Sequence, residues 1–135
     1  MSPKTIHVLV VDDNIPIRQY LAAALATSAF HTVQAKDGVE ALRLIDSSAK
    51  AIDILLLDVV MPRLTGKELA RIVLPVHPDI KIIFMSGYPE EIIADHGLPA
   101  KSIRFLKKPF STPQLVALIE EVMNTGNGDP ENTDH

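Results

Sequence analysis

The chain has 135 residues, room for one ordinary domain and its core but not for two. A hydrophobic share of 47% against 22% charged residues is a globular balance, and no apolar run nears the roughly 20 residues of a membrane span. The absence of cysteine excludes disulfides, thiolate metal sites and cysteine nucleophiles; the net charge of −4 is carried largely by Asp129, Glu131 and Asp134, which leaves a near-neutral body and no basic nucleic-acid surface.

Ile6–Val11 is a short apolar run ending at Asp12, as expected of a strand buried on both faces. A helix follows, with Asn14 as N-cap, Pro16 in the first turn, and Ile17, Tyr20, Leu21, Ala24, Leu25 and Ser28 along one face. His31–Ala35 reads as a weaker second strand. Asp37 then caps a second helix with Val39, Leu42, Ile45 and Ala49 on its apolar side. Residues 53–57 (DILLL) form another buried strand, ending at Asp58. A third helix is predicted over Gly66–Leu74, stopped by Pro75.

Ile80–Met85 is the fourth strand, ending at Ser86, and a short fourth helix is expected over Pro89–His96. Ile103–Leu106 is the fifth strand and runs into Lys107, Lys108 and Pro109. Ser111 or Thr112 caps a fifth helix that carries Leu115, Leu118, Ile119 and Val122 on one face. Residues 125–135 show no apolar periodicity and read as a disordered tail, so the expected domain is 1–124. Strands alternating with helices predict an α/β fold with a parallel sheet covered on both faces.

Polar residues collect where these strands end: Asp12 and Asp13, Asp58, Ser86 and Lys108. Open parallel sheets bind ligands outside the carboxyl ends of their strands, so four strands would deliver these groups to one edge. Two carboxylates about 4 Å apart repel by about 4 kcal/mol at an effective dielectric near 20. A third calls for a cation, and an all-oxygen donor set suits Mg²⁺. Asp58 would be a nucleophile towards phosphorus, with Lys108 and the Ser86 hydroxyl neutralising the transferred oxygens.

In this order, VVDD (10–13), LLLDVVMPRLTG (55–66), FMSGY (84–88) and FLKKPF (105–110) resemble the receiver domain of two-component response regulators, the stand-alone chemotaxis regulators among them. The resemblance covers roughly residues 5–124. It implies a flavodoxin-like, doubly wound sheet of order 2-1-3-4-5. Asp58 is then the phosphoacceptor; Asp13, Asp58 and the backbone carbonyl of Val60 hold Mg²⁺, and Asp12 holds it mostly through water. Lys108 pairs with the phosphoryl group across a cis bond to Pro109, and Ser86 and Phe105 are the switch residues. Val60 and Tyr88 occupy the positions that tune dephosphorylation; being apolar and bulky, they predict slow loss of phosphate.

The implied function is that of a cytoplasmic, non-enzymatic response regulator or phosphorelay intermediate. A histidine kinase or histidine phosphotransfer protein donates the phosphoryl group. The face of the fourth helix, fifth strand and fifth helix engages a downstream protein or a second copy, with no role for nucleic acid or membrane. The SGY sequence is similar to receivers attached to hybrid sensor kinases. A degenerate receiver that binds without phosphorylation is the alternative. A phosphohydrolase is disfavoured, because Val60 stands where haloacid dehalogenase-like enzymes carry a second acid. A dinucleotide-binding domain is disfavoured by DDNIP in place of a glycine-rich turn after the first strand.

Overall fold

The computed structural model describes residues 5–28, 30–48, 52–61, 63–87 and 102–127. Five strands, β1 (His7–Val11), β2 (His31–Ala35), β3 (Ile54–Asp58), β4 (Lys81–Ser86) and β5 (Ile103–Lys107), form one parallel sheet in the order β2-β1-β3-β4-β5. The helices are α1 (Ile15–Ala26), α2 (Gly38–Ser48), α3 (Gly66–Val76) and α4 (Thr112–Asn127). The expected helix over 89–96 lies outside the described residues, so α4 is the fifth helix of the sequence reading.

Each central strand is apolar on both sides because each side has its own helical layer. Leu9, Val11, Leu55, Leu57, Ile82 and Phe84 face α2 and α3, and the alternate residues Val8, Val10, Ile54, Leu56, Ile83 and Met85 face α1 and α4. This two-residue alternation is the pleat. From the helices, Ala41, Ile45, Leu69, Ala70 and Val73 complete the first core, and Leu21, Leu25, Leu115, Ile119 and Val122 the second.

Helix starts follow the expected chemistry. The Asn14 side chain accepts the Ile17 N–H at 3.0 Å. Thr65 and Glu68 form a capping box on α3. Ser111 accepts the Gln114 N–H at 3.2 Å while its own N–H donates to Gln114 Oε1 at 2.7 Å, which makes Ser111 the cap of α4.

The structure departs from the sequence reading at several places. Tyr20 is 63% exposed rather than core; its apolar ring flanks α1 and its hydroxyl lies 3.2 Å from Thr112 Oγ1, linking α1 to the start of α4. Val39 is also exposed, because an i, i+3, i+6 row drifts about 60° per step around a helix, and Ala41 takes the buried place. Pro75 sits inside the last turn of α3 rather than ending it, where it forfeits a single backbone bond. The backbone of α4 continues to Asn127, since extending a formed helix costs little. Residues 128–135 lie outside the described residues.

Candidate functional site

Register brings the strand ends together. Val11 pairs with Leu57, so Asp12 and Asp58 each follow a matched pair on adjacent strands. Asp58 pairs with Met85, and Ser86 with Lys107, which puts Ser86 and Lys108 one step further along the same edge. The Lys108 N–H donates to the Ser86 carbonyl at 2.8 Å, extending the β4–β5 ladder to the lysine itself.

Asp12 is the most constrained of these groups. Its N–H bonds to the Ala35 carbonyl, and its own carbonyl accepts Arg18 Nη1 at 2.8 Å. Oδ1 accepts the Asn14 N–H at 2.9 Å, in the local turn that starts α1. The residue is 1% exposed, yet Oδ2 is buried without a hydrogen-bond partner among the described residues. Burial pushes the Asp12 carboxyl above the usual carboxylate range; the Asn14 N–H opposes this, and the Asp58 charge reinforces it.

Asp13 is exposed and Asp58 half-buried, and one carboxylate oxygen from each of Asp12, Asp13 and Asp58 lies within 4.8 Å of the others. Lys108 Nζ approaches Asp58 Oδ1 at 3.4 Å. A single ammonium against three carboxylates leaves a negative site, and the unpartnered Asp12 Oδ2 is a donor that a cation would satisfy. The residues present therefore fit a hard divalent ion.

Around this centre the chain is closely managed. The Lys108–Pro109 peptide bond is cis. Lys107 is exposed, whereas Lys108 is half-buried. Phe105 is half-buried and stacks on Phe84 with ring centroids 6.0 Å apart, on the α2/α3 side of the sheet. Ser86 is half-buried at the end of β4. Val60 is 77% exposed, next to the buried Met61. Tyr88 lies outside the described residues.

Three further residues that the sequence reading passed over, or took only as caps, hold the segment after Asp58. Gly66 donates its N–H to the Val59 carbonyl at 3.1 Å, and it packs against the Asp58 carbonyl so closely that a Cβ there would lie 2.6 Å away. Arg63 adopts a left-handed backbone, φ 69°, and its Nη2 bonds Asp37 Oδ2 at 2.8 Å. Asp37, 4% exposed, uses its other oxygen to accept the Glu40 N–H at 2.8 Å, capping α2. The turn residues in LTG signal Gly66; no local signal pairs Arg63 with Asp37.

The Glu40 N–H and the Arg63 guanidinium outweigh burial and hold the Asp37 carboxyl below the usual carboxylate range. Its stabilising contribution is therefore present above the ordinary value of 3.8 and is lost as pH falls through the lowered folded value. Asp37→Ala is expected to cost about 1–2 kcal/mol at neutral pH, with the gap from wild type closing in acid. Urea unfolding across the acid range measures it, and a pH-independent gap would contradict this origin.

The comparisons with known proteins bear on what the site is. Residues 8–120 match the response regulator receiver domain. The chain belongs to that family. Sensor kinase CckA of Brucella abortus (strain 2308) is 40% identical over 117 residues, which cover 86% of this chain but 12% of the kinase. Response regulator receiver protein CpdR of the same organism is 29% identical, covering 87% of this chain and 96% of CpdR. In structure, the receiver resembles the Vibrio cholerae chemotaxis protein CheY4, with a TM-score of 0.79 and 28% identity over 88% of this chain and 99% of CheY4. As a receiver, the chain has the flavodoxin-like sheet order, and its acidic cluster is of a kind able to bind a metal. Among the described residues no helix is long and apolar enough to cross a membrane.

Proposed function

We propose that this receiver is a phosphoacceptor in two-component signalling, phosphorylated on Asp58 with Mg²⁺ as cofactor. The observation that carries the reading is the placing of Lys108 Nζ 3.4 Å from Asp58 Oδ1 beside the Asp12–Asp13–Asp58 cluster. An isolated acidic turn would not bring a half-buried lysine from a distant strand to one chosen carboxylate.

The donor is a phosphohistidine of a histidine kinase or histidine phosphotransfer protein. An Asp58 carboxylate oxygen forms the new P–O bond, the P–N bond breaks, and the released imidazole takes up a proton, leaving an acyl phosphate. Asp12, Asp13, Asp58 and the Val60 carbonyl would hold Mg²⁺, which when bound would supply positive charge to the phosphoryl oxygens. Lys108 exchanges its Asp58 contact for a phosphoryl oxygen, and the Ser86 hydroxyl donates to another. Exposed Asp13 marks the open side from which the donor approaches.

The added charge biases two conformations separated by a few kcal/mol. As Ser86 moves towards the phosphate, Phe105 follows, and the face made by β5 and α4 changes shape for a downstream protein or a second copy. In this reading the chain works in the cytoplasm and is not an enzyme. The similarity to sensor kinase CckA favours a relay step, in which Asp58 passes the phosphoryl group back to a phosphotransfer histidine.

Incubation with acetyl phosphate and Mg²⁺ followed by intact-mass measurement tests the proposal. One added phosphoryl group that Asp58→Asn abolishes is the expected result. No gain in the folded wild-type chain would favour the degenerate receiver. Val60 brings no polar group to position an attacking water, so Val60→Asn is expected to hasten phosphate loss by about threefold or more. Following the decay of the phosphorylated mass over time checks this.

A further inference from the structure

The loop between β3 and α3 has three kinds of anchor. At its far end, Gly66 and the Thr65–Glu68 capping box tie it to Asp58, Val59 and α3. In its middle, Leu64 packs on Gly38, where a Cβ would lie 2.8 Å from Leu64 Cδ2. Beside Leu64, the Arg63 guanidinium reaches across to buried Asp37 at the start of α2.

The Arg63 tie is built at a cost. A left-handed backbone is unfavourable for a residue with a long side chain, and Arg63 is the one non-glycine among the described residues that adopts it. Glycine would take this conformation freely, but would bring no guanidinium to Asp37. The Arg63 side chain is 70% exposed while the Asp37 side chain is 6% exposed, so the carboxylate is the fixed post and the arginine the movable strap. Between Asp58 and the strap run residues 59–62, among them exposed Val60, whose backbone carbonyl is a Mg²⁺ ligand in the proposed function, and buried Met61.

We propose that Arg63 is a positioning residue for the phosphoacceptor loop: its bond to Asp37 holds the 59–61 backbone in place and so sets the affinity of the site for Mg²⁺. This rests on the Mg²⁺ reading of the acidic cluster. Its reach is wider than one contact. Asp37 caps α2, so the ion pair, beside the Leu64–Gly38 contact, couples the position of the α2 start to the geometry of the metal site.

The test uses the full chain and Arg63→Gly, which keeps the backbone conformation and removes the guanidinium, with Arg63→Lys as the conservative partner. In metal-free conditions, amide exchange at Val59 and Gly66, whose N–H groups bond Met85 and Val59 carbonyls, is expected to speed up about tenfold in Arg63→Gly. Mg²⁺ titration followed by amide NMR shifts is expected to show affinity about three- to tenfold weaker in Arg63→Gly, with Arg63→Lys recovering most of it. Unchanged exchange, or wild-type Mg²⁺ affinity in Arg63→Gly, would overturn the role of Arg63. A wild-type chain that shows no Mg²⁺-dependent shift would instead sink the metal reading, and with it the affinity half of this proposal, while the exchange result still decides the loop-holding half.

Discussion

Asp12→Asn is expected to make the metal-free chain more stable, by about 1–2 kcal/mol, while cutting Mg²⁺-dependent phosphorylation at least about tenfold. The two effects share one cause. Asp12 Oδ2 is buried without a partner, and the carboxyl is pushed up by burial and by its acidic neighbours. An asparagine keeps the Oδ1 bond to the Asn14 N–H and offers an N–H₂ towards Asp13 and Asp58 in place of a third negative charge. What stabilises the empty fold thereby removes a ligand the cation needs. Urea unfolding in excess chelator gives the first number and the rate of mass gain with acetyl phosphate the second. An Asp12→Asn chain less stable than wild type in chelator would mean that Oδ2 is satisfied after all.

Gly66→Ala is expected to destabilise by about 3 kcal/mol, lowering Tm by about 10 °C, and to impair phosphorylation of the fraction that folds. The reason is space and not backbone freedom, since no described glycine has a positive φ. The new Cβ would meet the Asp58 carbonyl oxygen at 2.6 Å and Val59 Cα at 3.1 Å, backbone atoms held by β3 and by the Val59 N–H bond to the Met85 carbonyl. Relief must come from moving the acceptor residue itself or the first turn of α3. Gly38→Ala is the internal control. Its Cβ would meet Leu64 Cδ2 at 2.8 Å and Leu64 Cβ and Cγ at 3.0 Å, side-chain atoms of a loop residue rather than strand backbone, so a smaller loss is expected. Thermal unfolding of both variants separates the cases, and equal losses would count against the argument.

Much of this molecule was readable before any coordinates. Continuous apolar runs such as ILLL demand cover on both faces, and the helices between them supply it. The polar residue closing each run marked the site, because β1, β3, β4 and β5 are otherwise nearly all apolar above that point. What was not readable depends on rotation and on distance across the chain. Tyr20 and Val39 sit at helical spacings compatible with either face, and only packing decides which. Arg63 and Asp37 lie 26 residues apart, one in a loop and one at a cap, so neither predicts the other. The orphaned Asp12 oxygen is likewise a property of enclosure, which no residue type announces.

The unbroken parallel register also acts as a ruler. Adjacent strands lie about 4.8 Å apart, so groups at the ends of β1, β3, β4 and β5 fall on a graduated line about 14 Å long. Side chains draw that line in: one carboxylate oxygen from each of Asp12, Asp13 and Asp58 lies within 4.8 Å of the others, and Lys108 reaches back from beyond β5 to Asp58 at 3.4 Å. In the proposed function, a phosphoryl group on Asp58 would stand at the β3 mark, with groups of the site on either side of it. β2, at the edge beyond β1, ends in Ala35 and adds no mark of its own. The acid that follows it, Asp37, is turned instead towards the loop that frames the measured space.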